Sequence, residues 1–397
     1  MGINNFCKLI QPILRPTSKP TFFDSVLVDC QSFLYGAIEH CLEIEQEQIF
    51  DEICESVWEQ INNLLKTFLS HSDKYLTFIL SFDGEGVPMK WATQRERRRR
   101  SKNSSSKKNF YRYILFGNNK LSIQVQNYVI KQLKKFNHHI RVIVCGCNVP
   151  GEGEHKIFQI AESLKTCQNP VVVSVDQDVF ILSFLRLDRY QTLQIYRYNQ
   201  FYNINNFVSK QLSYPLKRLI TVSFLFGNDF IPTLIGITAT NPPNIHNCLS
   251  SIDEDDDPPT ILSLFIQNMQ NHIHFTLVEF VDNNLIIWFW TTYFWILDYY
   301  TLRNFPQLFL ENHVYDAFDR NQLLTGLINK KFSKEMFQIA QKNYKGLITQ
   351  PIPNAERYVF MDSEDLVKKL QSFWTESKDQ FCTVIRITNV NRKKSIL

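Results

Sequence analysis

Five short apolar runs, residues 26–28, 75–82, 140–144, 171–175 and 193–198, recur through the first half of the chain, rich in Val and Ile and separated by stretches of helical periodicity. Their hydrophobicity is near-continuous rather than alternating, the pattern of strands buried on both faces of a parallel sheet. Parallel strands need long crossovers, and the intervening stretches supply them. In residues 46–68, for example, Ile49, Ile53, Val57, Ile61, Leu64, Leu65 and Phe68 recur at spacings of three and four. The predicted class is α/β, a central, largely parallel sheet covered by helices, followed by a helical C-terminal region.

Acids stand where these runs end. Asp29 closes the first, Asp83 follows the second, Glu152 and Glu154 come soon after the third in Pro150-Gly151-Glu152-Gly153-Glu154-His155-Lys156, and Asp176 and Asp178 follow the fourth. One strand-end aspartate is an ordinary turn residue or helix cap. Six acids at four consecutive strand ends are not, because function in an open parallel sheet gathers outside the carboxyl ends of its strands. Carboxylates crowded together raise one another's pKa unless cations neutralise them, and the cations suited to oxygen donors are hard divalent metals. A seventh acid, Asp229, lies in Phe226-Gly227-Asn228-Asp229-Phe230-Ile231-Pro232, where Gly227 suits a tight turn. All seven, Asp29, Asp83, Glu152, Glu154, Asp176, Asp178 and Asp229, fit a two-metal centre of Mg²⁺ or Mn²⁺ for in-line phosphoryl displacement, in which they are both metal ligands and catalytic residues.

Charge is focused beside this edge. Between Lys90 and Lys108 the chain carries nine Lys or Arg and one acid, Glu96; the segment is +8 in a chain of net charge +4, so the remainder sums to −4. The bland reading is a solvated or nuclear-localisation-like tract. On a helix, however, Lys90, Gln94, Arg97 and Arg98 share one face, and arginine forks grip a terminal phosphate bidentately. A phosphate pocket next to a two-metal centre would measure one nucleotide from a free 5′ end.

The remaining features bound the reading. With 397 residues and 44% hydrophobic content the chain can bury a large core, divided here into a first domain over 1–240, a Pro/Asp-rich linker or loop over 241–260, and a helical, aromatic-rich region over 261–397. The nine cysteines form no paired CxxC set, and Cys145-Gly146-Cys147 with His138-His139 matches no zinc spacing, so reduced, structural thiols are expected. No basic-then-apolar leader precedes Asp24, which points to an intracellular protein, cytoplasmic rather than nuclear, without membrane attachment. The apolar stretch 285–297 is shorter than the roughly 20 residues of a membrane span and reads as a buried helix.

These motifs resemble the XRN-type 5′→3′ exoribonucleases, relatives of the PIN-like and flap-endonuclease group. The resemblance is carried by Gly2-Ile3-Asn4-Asn5-Phe6, Val28-Asp29-Cys30-Gln31-Ser32, Phe82-Asp83-Gly84 with Lys90 and Gln94-Arg95-Glu96-Arg97-Arg98, the 150–156 string, Asp176-Gln177-Asp178 and the 227–232 segment, over roughly residues 1–237. It implies degradation of single-stranded, 5′-monophosphorylated RNA to nucleoside 5′-monophosphates with Mg²⁺ or Mn²⁺. The seven acids would serve two ions, and Lys90, Gln94, Arg97 and Arg98 the 5′ phosphate, in a protein expected to be a monomer. Where the family places a base-stacking histidine this chain has Tyr35, which can stack or simply pack in its helix. The family's Trp- and Tyr-rich segment beyond Tyr300 is not recognisable. Two other classes remain: a flap-type DNA nuclease, whose Gly-Ile-Gly-Pro-Lys hairpin is not found after Gly236-Ile237, and an inactive RNA-binding scaffold.

Overall fold

The computed structural model describes residues 6–40, 49–70, 76–84, 120–136, 140–149, 151–238, 241–252, 257–301, 319–348 and 382–387. The chain forms two compact units, one of Ser18–Val175, Leu187–Phe201 and Met361–Leu397, the other of Met1–Thr17, Asp176–Arg186 and Tyr202–Phe360.

The first unit is built on the sheet. Its strands are β1 (Ser25–Asp29), β2 (Thr77–Ser81), β3 (Ile140–Cys145), β4 (Pro170–Val173), β5 (Gln194–Arg197), β6 (Gln200–Asn203) and β7 (Cys382–Ile387), in the order β6-β5-β4-β1-β2-β3-β7. The five apolar runs are the parallel strands β1 to β5, with Val26 opposite both Phe78 and Val171, and Phe78 opposite Val142. Every residue of β1 and β2 is buried, as continuous hydrophobic runs require. The four strands whose ends precede the acids, β4, β1, β2 and β3, are neighbours, so their carboxyl ends share one edge of the sheet.

On one face, Val26, Val28, Phe78, Leu80, Val142, Val144, Val171 and Val173 form a core with helices α2 (Gln31–His40), α3 (Ile49–Leu69) and α4 (Lys120–Leu133). The alternate residues Leu27, Ile79, Ile143 and Val172 point the other way. There helix α5 (Gly153–Ser163) packs across β1 and β2. Helix α3 delivers Ile53, Val57, Ile61, Leu65 and Phe68 to the core, the stripe expected from their spacing.

Two strands were not anticipated. Strand β6 returns from β5 through Tyr198 (φ 49°) and Asn199 (φ 61°), a two-residue turn of the left-handed kind that hairpins favour. Strand β7 lies in the region expected to be helical and pairs antiparallel with β3, Val142 opposite Ile385; Cys-Thr-Val-Ile-Arg-Ile is a β-branched run of strand type.

The second unit is helical: α1 (Phe6–Ile10), α6 (Asp178–Phe184), α7 (Leu216–Ser223), α8 (Pro242–Ser250), α9 (Pro258–Met269), α10 (Asn283–Thr301), α11 (Arg320–Ile328) and α12 (Lys330–Ile348). The apolar stretch 285–297 lies within α10, which buries Trp290, Trp295, Tyr299 and Tyr300 and packs against α12. Among the described residues no helix is long and apolar enough to cross a membrane. The prolines of 242–259, read as linker punctuation, instead start helices: Pro242 and Pro243 open α8, and Pro258 and Pro259 open α9. A proline in the first turn removes an amide that has no helical partner, and Asp257 completes the α9 terminus by accepting from the Thr260 amide at 2.8 Å.

Candidate metal centre

Asp29 is the last residue of β1 and is 4% exposed. Its Oδ1 accepts from the Gln31 amide at 3.1 Å, the turn contact expected of a strand-end aspartate. Its Oδ2 accepts from the Ser174 hydroxyl at 3.0 Å, just beyond the end of neighbouring β4. Both carboxylate oxygens are thus engaged, and the orientation of the side chain is fixed from two sides.

Asp83 follows β2, and its Oδ1 accepts from the Gly153 amide at 2.7 Å. Gly153 is the first residue of α5, whose free amides and dipole favour a carboxylate. The position admits no side chain without displacement, because a Cβ there would lie 2.7 Å from Asp29 Oδ1 and 3.2 Å from Asp83 Oδ1. Glu152 holds the position before the helix without a side-chain capping bond, and Glu154 lies in its first turn, 6% exposed. Ligand atoms of Asp29, Asp83 and Glu154 all lie within 4.8 Å of one another, as do those of Glu152, Glu154 and His155. Glu152 also approaches the His155 ring at 3.9 Å.

Burial, with the neighbouring charge of Glu152, pushes the Asp83 carboxyl up to about 6, against the opposing pull of the Gly153 amide and Lys156. Burial and the Glu152 charge both disfavour an ionised Asp83, and a hard divalent cation among the oxygens would relieve that cost. The donor set Asp29, Asp83 and Glu154, oxygen only, fits such an ion; Glu152 and His155 extend it.

Lys156, one turn into α5, is 2% exposed. Its ammonium donates to the carbonyls of Phe82 (2.5 Å), Gly146 (3.0 Å) and Val149 (3.0 Å). Sequence reasoning gave no role to Lys156, Ser174 or Gly153. Lys156 and Gly153 stood within a quoted motif string, but their partners are backbone atoms and residues distant in the chain.

The other unit carries the other three acids. Asp176 Oδ1 accepts from the Asp178 amide at 3.1 Å, and Asp178 opens α6 at 1% exposure. Between them, Gln177 accepts from the Cys7 amide at 3.2 Å. Asp229, 5% exposed, follows Gly227, whose φ of 80° is the turn geometry its sequence suggested. Asn228 accepts from the amides of Phe230 and Ile231 at 2.8 Å each, and the Phe230 ring meets Trp295 at 4.7 Å and Tyr299 at 5.5 Å. Lys90, Gln94, Arg97 and Arg98 lie outside the described residues, as do His138-His139. Tyr35 is half-buried on α2 and packs against the sheet core. Cys145 and Cys147 are buried and in no disulfide among the described residues, and the Cys147 amide and thiol both donate to Gln126, at 2.9 and 3.3 Å.

The site is thus a set of carboxylates presented at the ends of adjacent strands of a largely parallel sheet covered by helices. Residues 116–198, about a fifth of the chain, match the family described as XRN 5'-3' exonuclease N-terminus. No curated protein sequence matches the chain. Among solved structures, the catalytic core of Rad2 in complex with DNA substrate is similar at 14% identity and a TM-score of 0.44, covering 85% of this chain and 99% of that one. The T5 D15 protein co-crystallised with metal ions is similar at 11% identity and a TM-score of 0.34, covering 82% and 100%.

Proposed function

We propose that the protein is a 5′→3′ exoribonuclease that hydrolyses 5′-monophosphorylated, single-stranded RNA to nucleoside 5′-monophosphates. The observation that carries this reading is the cluster of Asp29, Asp83 and Glu154, ligand atoms within 4.8 Å, at the edge shared by adjacent parallel strands. Those residues with Glu152, and with Asp176, Asp178 and Asp229 as the family resemblance assigns them, would hold Mg²⁺ or Mn²⁺, two ions in all. Metal bound there supplies a water of lowered pKa and stabilises charge on the phosphate.

The chain's own residues prepare that chemistry. Ser174 and the Gln31 amide fix Asp29, and the Gly153 amide fixes Asp83, so ligands are oriented before metal arrives. Lys90, Gln94, Arg97 and Arg98 would grip the 5′ phosphate and set the cut one nucleotide inward, and Tyr35 is the residue for stacking the terminal base. In this reading residues 1–240 are the nuclease core, and the enzyme acts as an intracellular, cytoplasmic monomer.

The test offers labelled single-stranded RNA, a matched single-stranded DNA and a flapped DNA duplex to the purified protein, in Mg²⁺ and in chelator. Mononucleotide release from RNA in Mg²⁺ alone is the expected result. Cleavage confined to the flap would make the protein a DNA nuclease, and absence of metal-dependent turnover would make it a binding scaffold.

A further inference from the structure

We infer that Lys156 is a positioning residue of the metal centre: its buried ammonium ties together, through three backbone carbonyls, the segments that present Asp83, Glu152 and Glu154. The inference rests on the reading of this cluster as a divalent-metal site. A buried ammonium is expensive unless every proton finds an acceptor. Here three protons meet three acceptors, the carbonyls of Phe82, Gly146 and Val149, and Lys156 is 2% exposed.

The identity of those acceptors gives the arrangement its meaning. Phe82 immediately precedes Asp83. Gly146 and Val149 belong to the connection that leads from β3 to Glu152. Lys156 itself lies on α5, one turn after Glu152, with its amide bonded to the Glu152 carbonyl at 3.1 Å. One cation therefore fastens the end of β2, the loop after β3 and the start of α5. No shorter or singly donating side chain could join all three. The described partners of the ammonium are all carbonyls, so it holds the backbone that carries the carboxylates rather than the carboxylates themselves.

A lysine that only stabilised the fold would, on replacement, lower the melting temperature and leave a folded variant's metal affinity alone. A positioning lysine changes the affinity of the folded protein. The experiment compares full-length wild type with Lys156→Met, which keeps the stem, and Lys156→Gln, which keeps a donor without charge. Mn²⁺ binding is read by calorimetry at a temperature where near-UV circular dichroism shows each protein folded.

The expected result is a loss of Mn²⁺ affinity of at least tenfold in both variants. It is accompanied by a matching rise in the Mg²⁺ concentration for half-maximal RNA hydrolysis and an unchanged KM for RNA at saturating Mg²⁺. A folded variant binding Mn²⁺ within twofold of wild type overturns the inference. Should both variants fail to fold, ¹⁵N-lysine labelling of the wild type decides. The tripod predicts one ammonium resonance protected from solvent exchange that moves on Mg²⁺ addition; a missing or unmoved resonance overturns the proposal. Wild-type protein that binds no Mn²⁺ removes the metal-site reading with it, whereas equal binding in wild type and variants removes only the role of Lys156.

Discussion

Replacing Gly153 with alanine perturbs the metal centre more than the fold. The added Cβ would stand 2.7 Å from Asp29 Oδ1, 3.2 Å from Asp83 Oδ1 and 3.4 Å from the Ser81 carbonyl. An ordinary carbon–oxygen approach is about 3.3 Å, so Asp29 Oδ1 must retreat by about 0.6 Å or α5 must move away from β1. Asp29 cannot simply swing aside, since its oxygens are held by the Gln31 amide at 3.1 Å and the Ser174 hydroxyl at 3.0 Å. Displacements of this order at a reacting centre cost about 10- to 100-fold in rate.

Helix propensity works the other way. Alanine in place of glycine in a helix interior is worth about 0.5 to 1 kcal/mol, and at Gly153, the first residue of α5, a part of that gain offsets the cost of the displacement. Gly153→Ala should therefore stay within about 1 kcal/mol of wild type in denaturant unfolding while losing at least about tenfold in kcat/KM on 5′-monophosphorylated RNA. Its Mg²⁺ requirement should rise as well. A variant with wild-type turnover and wild-type Mg²⁺ dependence would refute the reasoning, because the ligand geometry could then not be what limits the chemistry.

Three other outcomes are expected. Changing Asp176 and Asp178 together to Ala should abolish cleavage yet leave RNA binding measurable by fluorescence anisotropy; undiminished cleavage would remove both from the metal site. Replacing Arg97 and Arg98 with Ala should erase the preference for a 5′ monophosphate over a 5′ hydroxyl, and a retained preference would assign those residues to backbone contact with a salt-dependent signature. The third concerns pH: the Asp83 carboxyl is raised from 3.8 to about 6 by burial and by Glu152, so the metal-free fold favours its protonated form. That contribution to stability is present below pH 4 and lost as pH rises through 6, and bound metal reverses it. Mn²⁺ affinity should accordingly rise between pH 5 and 7 with proton release visible in calorimetry, and an affinity independent of pH would contradict the assignment.

The parts legible in the sequence are those with a local physical cause. Strands β1 to β4 announced themselves because burial on both faces demands unbroken apolar runs such as 171–173, and α10 because a 13-residue aromatic stretch is too short to span a bilayer. The approach of Asp29, Asp83 and Glu154 could be read for the same reason, as parallel connectivity brings the ends of β1 and β2 and the start of α5 to one edge. The prolines at 242 and 258 misled because the residue that breaks a helix interior is favoured in its first turn. Strand β7 escaped because it reaches the edge of β3 from more than two hundred residues away. Ser174 and Lys156 escaped for a related reason: one hydroxyl reaches across 145 residues to Asp29, and one ammonium reads backbone carbonyls, which no side-chain pattern reveals.

The most direct measurement is an anomalous difference map from crystals of the protein soaked in Mn²⁺. The account predicts a peak within about 2.0 to 2.3 Å of carboxylate oxygens of Asp29, Asp83 and Glu154. Mn²⁺ bound elsewhere, with that cluster clear of any peak, would contradict the assignment of these strand-end acids as the metal centre.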